Sequence, residues 1–204
     1  AAGLGGADFE VDLCNLAQEP CPAPTGYDLL GIGTPTYYYR PPFRVTDYVK
    51  NLPVLQGLPA FVFALHGTYV GDGGNTVRDM LAARGAEEAG YFVCRGADYY
   101  LSYLKQGYLF SPDHPRHADL ARAEAFGRDV AARAAGQPYT RPAEDPSPTA
   151  LHRFERFLAN RFFVNQVYSR LFRVDREQCI ACGACAEVCP TSNIALDAAG
   201  QPGW

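Results

Sequence analysis

Short apolar runs that end at turn residues recur through the first two-thirds of the chain. Apolar and polar residues alternate over 9–16, whereas 27–35 and 58–67 are apolar runs that stop at Gly or Pro. A further apolar run covers 90–96. Runs of this length between turn residues are typical of strands, and runs without alternation are typical of strands buried in a parallel sheet. We therefore predict strands at these places.

Helical periodicity lies between and after these runs. Apolar residues recur at helical spacing over 42–52 and over 75–85, and the second segment ends on Gly85, a residue suited to a helix C-terminus. The Ala- and Arg-rich segment 117–135 has the same periodicity. Strands that alternate with helices predict βαβ units. The fold class expected for residues 1–136 is therefore α/β with a parallel sheet.

The composition changes after this domain. The segment 137–150 contains four prolines and is predicted to be a linker. Over 151–175 apolar residues again recur at helical spacing, with arginines between them, which predicts a basic amphipathic helix. Its apolar side either faces a core or docks a partner or a membrane surface. Residues 176–204 are then expected to form a small C-terminal domain.

Composition and charge exclude several functions. The 204 residues are 48% hydrophobic, and 18 Lys and Arg stand against 22 Asp and Glu. This balance leaves no cationic surplus to compete for a phosphate backbone, so we expect no nucleic-acid partner. No stretch reaches the roughly 18 apolar residues of a membrane-spanning helix. Seven cysteines are too few for a disulfide scaffold. With no secretory signal in the first residues, we expect a cytoplasmic protein.

Four of the cysteines crowd into eleven residues near the C-terminus. Cys179, Cys182, Cys185 and Cys189, followed by Pro190, form the run C-x2-C-x2-C-x3-C-P that holds iron-sulfur clusters in bacterial ferredoxins. The first three thiolates can wrap one cluster, and the fourth, one helical turn later, is expected to bind iron of another. The alternatives are a structural zinc site, which usually joins two C-x2-C pairs across a longer interval, and plain buried cysteines.

The other cysteines, Cys14, Cys21 and Cys94, lie in or beside apolar segments. We expect them to be small core residues and not ligands. Paired carboxylates, a Ser/His/Asp order and a metal-binding His cluster are not evident in the sequence, so nothing in it indicates a hydrolytic activity.

Two loops are predicted at the carboxyl edge of the sheet, where open α/β folds bind ligands. The first follows the run 27–35, and the second follows the run 58–67. Their threonines offer hydrogen bonds, and their tyrosines offer stacking surfaces. The alternative is a pair of Tyr-rich surface loops with no ligand. The candidate residues are Thr34, Pro35, Thr36, Tyr37, Tyr38, His66, Gly67, Thr68, Tyr69 and Gly71. For His66 the choice is between donating to a ligand and a local hydrogen bond.

The cysteine run, the α/β pattern before it and the two loops together resemble the flavodoxin-ferredoxin fusion electron-transfer proteins. The resemblance implies a flavodoxin-like parallel sheet, a linker helix and half of a bacterial-ferredoxin-like α+β domain. It implies FMN at the two loops and a [4Fe-4S] cluster at the cysteines, with two clusters in the complete protein. It also implies a strand and a turn over residues 193–204.

The chain departs from the family pattern at both ends. Strand 1 with its T-G-x-T phosphate turn should precede "AAGLGG", which resembles the end of helix 1, and a second cysteine run should follow Trp204. We therefore expect a partial sequence, truncated at both ends. The alternative is a natural minimal form, whose sheet would close without its middle strand.

The leading hypothesis is electron transfer between FMN and [4Fe-4S] clusters, with redox partners that the sequence does not identify. A second hypothesis is an iron-sulfur flavoprotein oxidoreductase that reduces an organic acceptor or oxidises NAD(P)H, although no G-x-G-x-x-G opens a helix after a strand. A third is a flavin-free interaction domain attached to an iron-sulfur module. Whether the chain is an enzyme with its own substrate stays open. In each case the basic segment 151–175 is a possible docking surface for a partner.

Overall fold

A computed structural model describes residues 2–6, 9–145, 149–171, 173–189 and 191–203. The chain divides into two compact units, each described by itself. The first unit comprises Ala1–Leu13 and Pro22–Arg156, and the second comprises Cys14–Cys21 and Phe157–Trp204. No helix in the described part of the chain is long and apolar enough to cross a membrane.

The first unit is built on a parallel sheet. Its strands are β1 (Leu30–Pro35), β2 (Pro59–His66) and β3 (Glu87–Arg95), in the order β1-β2-β3. Both neighbouring pairs are parallel. The α/β class with a parallel sheet is therefore confirmed, as are the strands predicted from the three later apolar runs.

Helices cover both faces of this sheet. Those that lie wholly in the first unit are α1 (Ala2–Gly5), α2 (Phe43–Asn51), α3 (Gly73–Ala83), α4 (Leu101–Lys105) and α5 (His117–Ala134), and the first unit also includes residues 150–156 of the helix that follows. On one face α3 packs against all three strands, and a small cavity there is lined by Val62 of β2 and Leu81 of α3. On the other face Phe126 and Val130 of α5 join Phe92 of β3 in an apolar cluster. Both faces of the parallel sheet are thus buried.

The strand predicted over 9–16 is wrong. Residues 9–15 are extended or irregular, and they have no ladder partner among the described residues. Phe9 and Val11 instead pack against the apolar cluster on the α5 face. Phe9 and Val11 therefore alternate because their side chains pack on that face, whereas Leu13 is exposed. A strand also needs backbone pairing, which this segment does not make with the described residues.

The assignment of Cys14 and Cys21 to a core is also wrong. They form a disulfide across seven positions, with Cα atoms 5.7 Å apart, and Cys14 is exposed. The bond closes the turn that begins near Asn15, so these cysteines fasten a surface loop of the second unit. Cys94 agrees with the prediction, since it is a free, buried thiol in the α5-face cluster.

The helix predicted over 151–175 is divided. Helix α6 spans Ala150–Leu158, α7 spans Arg161–Gln166, and a 3-10 turn follows at Tyr168–Leu171. The break lies at Asn160, whose side-chain oxygen accepts hydrogen bonds from the backbone N–H groups of Phe162 and Phe163. An Asn cap of this kind starts a new helix, because it satisfies N–H groups that have no partner within the helix.

The C-terminal part of the second unit is small. It contains α8 (Ala184–Glu187) and an antiparallel pair, β4 (Ala195–Leu196) and β5 (Pro202–Gly203). The strand and turn implied for residues 193–204 thus correspond to a short hairpin.

A buried ion pair holds the proline-rich segment after α5 against the sheet. The Arg78 side chain, fully buried on α3, donates to both carboxylate oxygens of Glu88 at 2.9 and 3.1 Å. It also donates to the carbonyl oxygen of Pro142 at 3.0 Å, and its guanidinium lies over the Tyr91 ring. Tyr139 donates to Glu88 at 2.9 Å. Residues 139–142 therefore run along the α/β unit and are bonded to it.

We expect Arg78→Ala to lower the free energy of unfolding by about 3 kcal/mol, because it leaves the half-buried Glu88 carboxylate with weaker partners. Urea denaturation measures the change. The matched control is Arg128→Ala, which removes an exposed Arg–Glu pair of 3.0 Å with Glu124 and should cost less than about 1 kcal/mol. Equal losses in the two variants would contradict the importance of the buried pair.

Candidate functional site

The first candidate loop turns sharply at the end of β1. The N–H of Thr36 donates to the carbonyl of Leu65 at 2.7 Å, which extends the pairing with β2 by one residue. Tyr37 and Arg40 then exchange backbone hydrogen bonds of 2.8 and 3.1 Å across a tight turn. The residues between them, Tyr38 and Tyr39, take positive φ angles of 48° and 63°. The turn leaves the rings of Tyr37 and Tyr38 exposed.

Within this loop Thr34 does not face the solvent. Its side chain is buried, and its hydroxyl donates to the carbonyl oxygen of Pro35 at 3.0 Å. Thr34 and Pro35 therefore belong to the end of the strand, and the side chains available to a ligand begin at Thr36.

The second candidate loop is hydrogen-bonded to a carboxylate that lies outside it. The backbone N–H and the hydroxyl of Thr68 both donate to one oxygen of Asp98, at 2.9 and 2.6 Å. Burial alone would raise the pKa of Asp98, but the hydrogen bonds from Thr68 hold it below its ordinary value. Asp98 follows β3, so a third loop takes part in positioning the second.

His66 makes the local hydrogen bond that was the alternative to a ligand contact. Its Nδ1 lies 2.9 Å from the carbonyl oxygen of Gly67, which can only accept, so Nδ1 carries the proton. Burial lowers the pKa of His66, which favours the neutral ring. In that tautomer Nε2 is an acceptor, so the neutral His66 cannot also donate to a ligand.

The two loops meet at Tyr39. The N–H of Asp72 donates to the Tyr39 carbonyl at 3.2 Å, and the Tyr39 and Tyr69 ring centroids are 5.9 Å apart. Gly71 has a φ of 64°, and a Cβ there would lie 2.7 Å from the Tyr39 Cα. Gly71 is therefore required both by its backbone angle and by the close approach of the first loop.

Three buried polar atoms at this junction have no hydrogen-bond partner among the described residues. They are Thr36 Oγ1, Arg40 Nε and Asp72 Oδ1. A buried polar atom without a partner is costly, and such atoms in a native fold call for a ligand, a water or a functional role. A ligand with a polar edge and a planar ring, such as a flavin, fits these groups and the neighbouring tyrosines in chemistry.

Helix α6 contributes residues to the same junction. The Tyr39 hydroxyl donates to Glu155 at 3.3 Å, the Arg40 side chain donates to the Arg156 carbonyl at 2.8 Å, and the Arg156 guanidinium pairs with Asp72. Burial, and then the Glu155 carboxylate, raise the pKa of Tyr39 to about 12. Burial lowers the pKa of both arginines.

The sequence reasoning missed Arg40, Asp72, Asp98, Glu155 and Arg156. Asp98 could have been found, because it directly follows a predicted strand and so lies at the same carboxyl edge. Arg40 and Asp72 lie within the two predicted loops, 31–42 and 66–74, but were not among the candidate ligand residues. The local pattern around Glu155 and Arg156 does not indicate that these residues contact loops more than eighty positions away in the chain.

The cysteine run lies in a loop and a short helix of the second unit. All four candidate ligands, Cys179, Cys182, Cys185 and Cys189, are free thiols at exposed or half-buried positions. Ala181 and Gly183 between them have positive φ angles of 53° and 76°, so the backbone curls where the first three thiols lie. Pro190 lies outside the described residues.

Hydrogen bonds from near neighbours favour the thiolate form of Cys189. Its sulfur lies 3.5 Å from the Thr191 hydroxyl and accepts a hydrogen bond from the Asn193 N–H at 3.4 Å. These bonds, with that of the Thr191 hydroxyl the strongest, lower the pKa of Cys189 to about 7. A thiolate is the form that binds iron.

The structure does not bring the thiols together. In the part of the chain that the structure describes, no three Cys, His, Asp or Glu side chains converge closely enough to hold a metal ion. The four cysteines therefore fit an iron-sulfur cluster in donor type, order and accessibility, and the loop would have to close around iron to place their sulfur atoms.

Comparison with known proteins adds one family match. Residues 172–194 match the family described as 4Fe-4S binding domain. No curated protein matches the chain. One similar solved structure is titled as that of a flavodoxin from the domain Archaea, with 13% identity and a TM-score of 0.48 over 65% of this chain and 83% of that one. The family match supports a [4Fe-4S] cluster in the second unit and, in general terms, electron transfer. The α/β assignment of the first unit rests on its own parallel ladder.

We expect Gly71→Ala to lower the free energy of unfolding by about 2 kcal/mol, because a Cβ at positive φ is strained and meets the Tyr39 backbone. Thermal or urea denaturation measures the loss. Gly33→Ala is the matched control in β1, since a Cβ there meets nothing within 4 Å. The control should change stability by less than about 0.5 kcal/mol. If both variants are equally stable, the close approach at Gly71 is not a constraint.

Proposed function

We propose that this chain is an electron-transfer protein, in which a flavin at the sheet edge of the first unit exchanges electrons with an iron-sulfur centre in the second. The single observation that supports the iron-sulfur part best is the cysteine run within residues 172–194, which match a 4Fe-4S binding domain. In this proposal Cys179, Cys182 and Cys185 hold one [4Fe-4S] cluster, and Cys189 is a ligand of a second.

The flavin part of the proposal is supported by the junction of the two loops. Thr36 Oγ1 and Arg40 Nε are buried polar atoms without a partner among the described residues, and they lie beside exposed tyrosine rings. Thr36 would donate or accept a hydrogen bond at the polar edge of the ring, and Tyr38 and Tyr69 would cover its apolar surface. These roles make FMN the proposed cofactor.

When bound, a flavin exchanges one or two electrons and a [4Fe-4S] cluster exchanges one at a time, so the pair links two-electron with one-electron chemistry. The contribution of the chain is to bind and orient both groups and to exclude water from them. The cytoplasmic location and docking through the basic segment 151–175 stay predictions.

A second candidate is a flavin-free α/β module attached to the iron-sulfur unit. One observation favours it: Tyr39, Arg40 and Asp72 of the candidate junction are already bonded to Glu155 and Arg156 of α6. In that case the α6 contacts would complete the junction and no flavin would bind. Titration with FMN distinguishes the two candidates.

We expect the protein, reconstituted with iron and sulfide under anaerobic conditions, to contain iron and acid-labile sulfide in equal amounts. Cys182→Ser should abolish most of both, because serine is a poor substitute for a soft thiolate ligand. The matched control is Cys94→Ala, which removes the buried thiol of the first unit and should leave the iron content unchanged. Zinc in place of iron, or equal iron in both variants, would contradict the cluster.

We expect Thr36→Val to weaken FMN binding while leaving the free protein as stable as before or about 1 kcal/mol more stable, because it removes a buried hydroxyl that no other described residue bonds. Quenching of FMN fluorescence measures the affinity, and urea denaturation measures the stability. Thr25→Val, an exposed threonine ahead of β1, is the control and should change neither quantity. Undiminished FMN affinity in Thr36→Val would exclude this role of the hydroxyl.

A further inference from the structure

A third loop at the sheet edge is bonded to the second candidate loop through Asp98. One carboxylate oxygen of Asp98 accepts both hydrogen bonds from Thr68, and the other accepts the N–H of Tyr100 at 3.1 Å. The Asp98 N–H donates to the Phe110 carbonyl at 2.9 Å. A Cβ on Gly67 would lie 2.6 Å from the Asp98 carboxyl carbon, so the two loops are in close contact.

The same third loop carries an aromatic array that reaches the first candidate loop. The Tyr100 ring lies 5.0 Å from that of Tyr103, which lies 4.9 Å from that of Phe110. At the other end, Tyr100 and Tyr38 are 6.0 Å apart with perpendicular rings. We call Tyr38, Tyr100, Tyr103 and Phe110 the aromatic array.

The two residues that join the loops in this array are also partly open to solvent. Tyr38 is 53% exposed and Tyr100 is 42% exposed, although aromatic rings of this size gain by burial. The inner ring, Tyr103, is half-buried and makes an edge contact with the Tyr100 ring. An exposed ring that packs against an inner ring and lies beside a second exposed ring is suited to contact a planar aromatic ligand.

We propose that the loop after β3 forms a third wall of the flavin site, in which Tyr100 contacts the flavin ring together with Tyr38, and Asp98 is a positioning residue. The inference rests on the proposed flavin function and extends it to residues outside the two candidate loops. Asp98 accepts hydrogen bonds from both Thr68 and Tyr100, so it joins the second loop to the third.

The chemistry of this edge favours a flavin over a purely apolar ligand. Thr36 Oγ1 and Arg40 Nε of the first loop are polar atoms with no hydrogen-bond partner in the part of the chain that the structure describes, and the aromatic array supplies an apolar surface. A ligand that uses both must have a flat apolar ring with hydrogen-bonding atoms along its edge. The Asp98 carboxylate adds a negative charge, which disfavours the more negatively charged, reduced form of the flavin.

The first test compares variants of Tyr100 by quenching of FMN fluorescence, with the full chain. Tyr100→Ala should weaken FMN binding about ten-fold, which corresponds to about 1.4 kcal/mol. Tyr100→Phe keeps the ring and should bind FMN within about two-fold of the unchanged protein. The matched control is Tyr27→Ala, a tyrosine of 40% exposure that precedes β1 at the opposite edge of the sheet. It should bind FMN as tightly as the unchanged protein.

The second test separates the positioning role of Asp98 from a general effect on folding. Asp98→Asn keeps one oxygen, which can accept the two Thr68 hydrogen bonds, but it removes the charge and the acceptor of the Tyr100 N–H. The reduction potential of bound FMN should become less negative, and FMN binding should fall less than in Asp98→Ala. Asp98→Ala also removes the acceptor and should weaken FMN binding several-fold. Asp28→Asn, at an exposed position ahead of β1, is the control and should leave the potential unchanged.

The outcomes distinguish the two proposals. If the unchanged protein binds no FMN, the proposed flavin function and this inference both fail. If it binds FMN but Tyr100→Ala stays within about two-fold, only the third wall is overturned. An Asp98→Asn variant with an unchanged flavin potential would overturn the influence of the Asp98 charge on the flavin, and an Asp98→Ala variant with unchanged FMN affinity would overturn its positioning role. Circular dichroism of each variant tests whether a loss of FMN binding comes from a loss of fold.

Discussion

Parallel pairing of β1, β2 and β3 is the constraint on which the first unit depends. Because parallel strands run in the same direction, the segments that follow them all begin at one edge of the sheet. The register pairs Pro35 with Leu65 and His66 with Arg95, so successive strands end almost level with each other. The three loops therefore start within reach of one another, although long stretches of chain separate them.

Short polar contacts then fix these loops. Asp98 binds the second loop, and Asp72 meets the first loop at Tyr39 and pairs with Arg156 of α6. Each of these carboxylates bonds residues from a different part of the chain, which is why the edge is ordered without an extended secondary structure of its own. The unpaired atoms Thr36 Oγ1 and Arg40 Nε lie where these contacts end.

In the second unit, the interactions around the cysteines come from residues that are close together in the sequence. Positive φ angles at Ala181 and Gly183 bend the backbone between the cysteines, whose spacing is set by the sequence itself. The hydrogen bonds to Cys189 also come from its near neighbours, Thr191 and Asn193. The bend of this segment and the hydrogen bonds to Cys189 therefore arise from near neighbours and not from distant residues.

The sequence by itself determined the three paired strands, the helices between them, the edge at which the loops lie and the spacing of the cysteines. These features depend on periodicity and on near neighbours, which a linear pattern records. Tertiary structure alone decided that 9–16 forms no strand, that Cys14 bonds Cys21, and that Arg156 reaches Asp72. Each of these results depends on which distant group is available as a partner. Hydrogen-bond, disulfide and ion-pair partners are fixed by distance in the folded chain and not by the residues beside them.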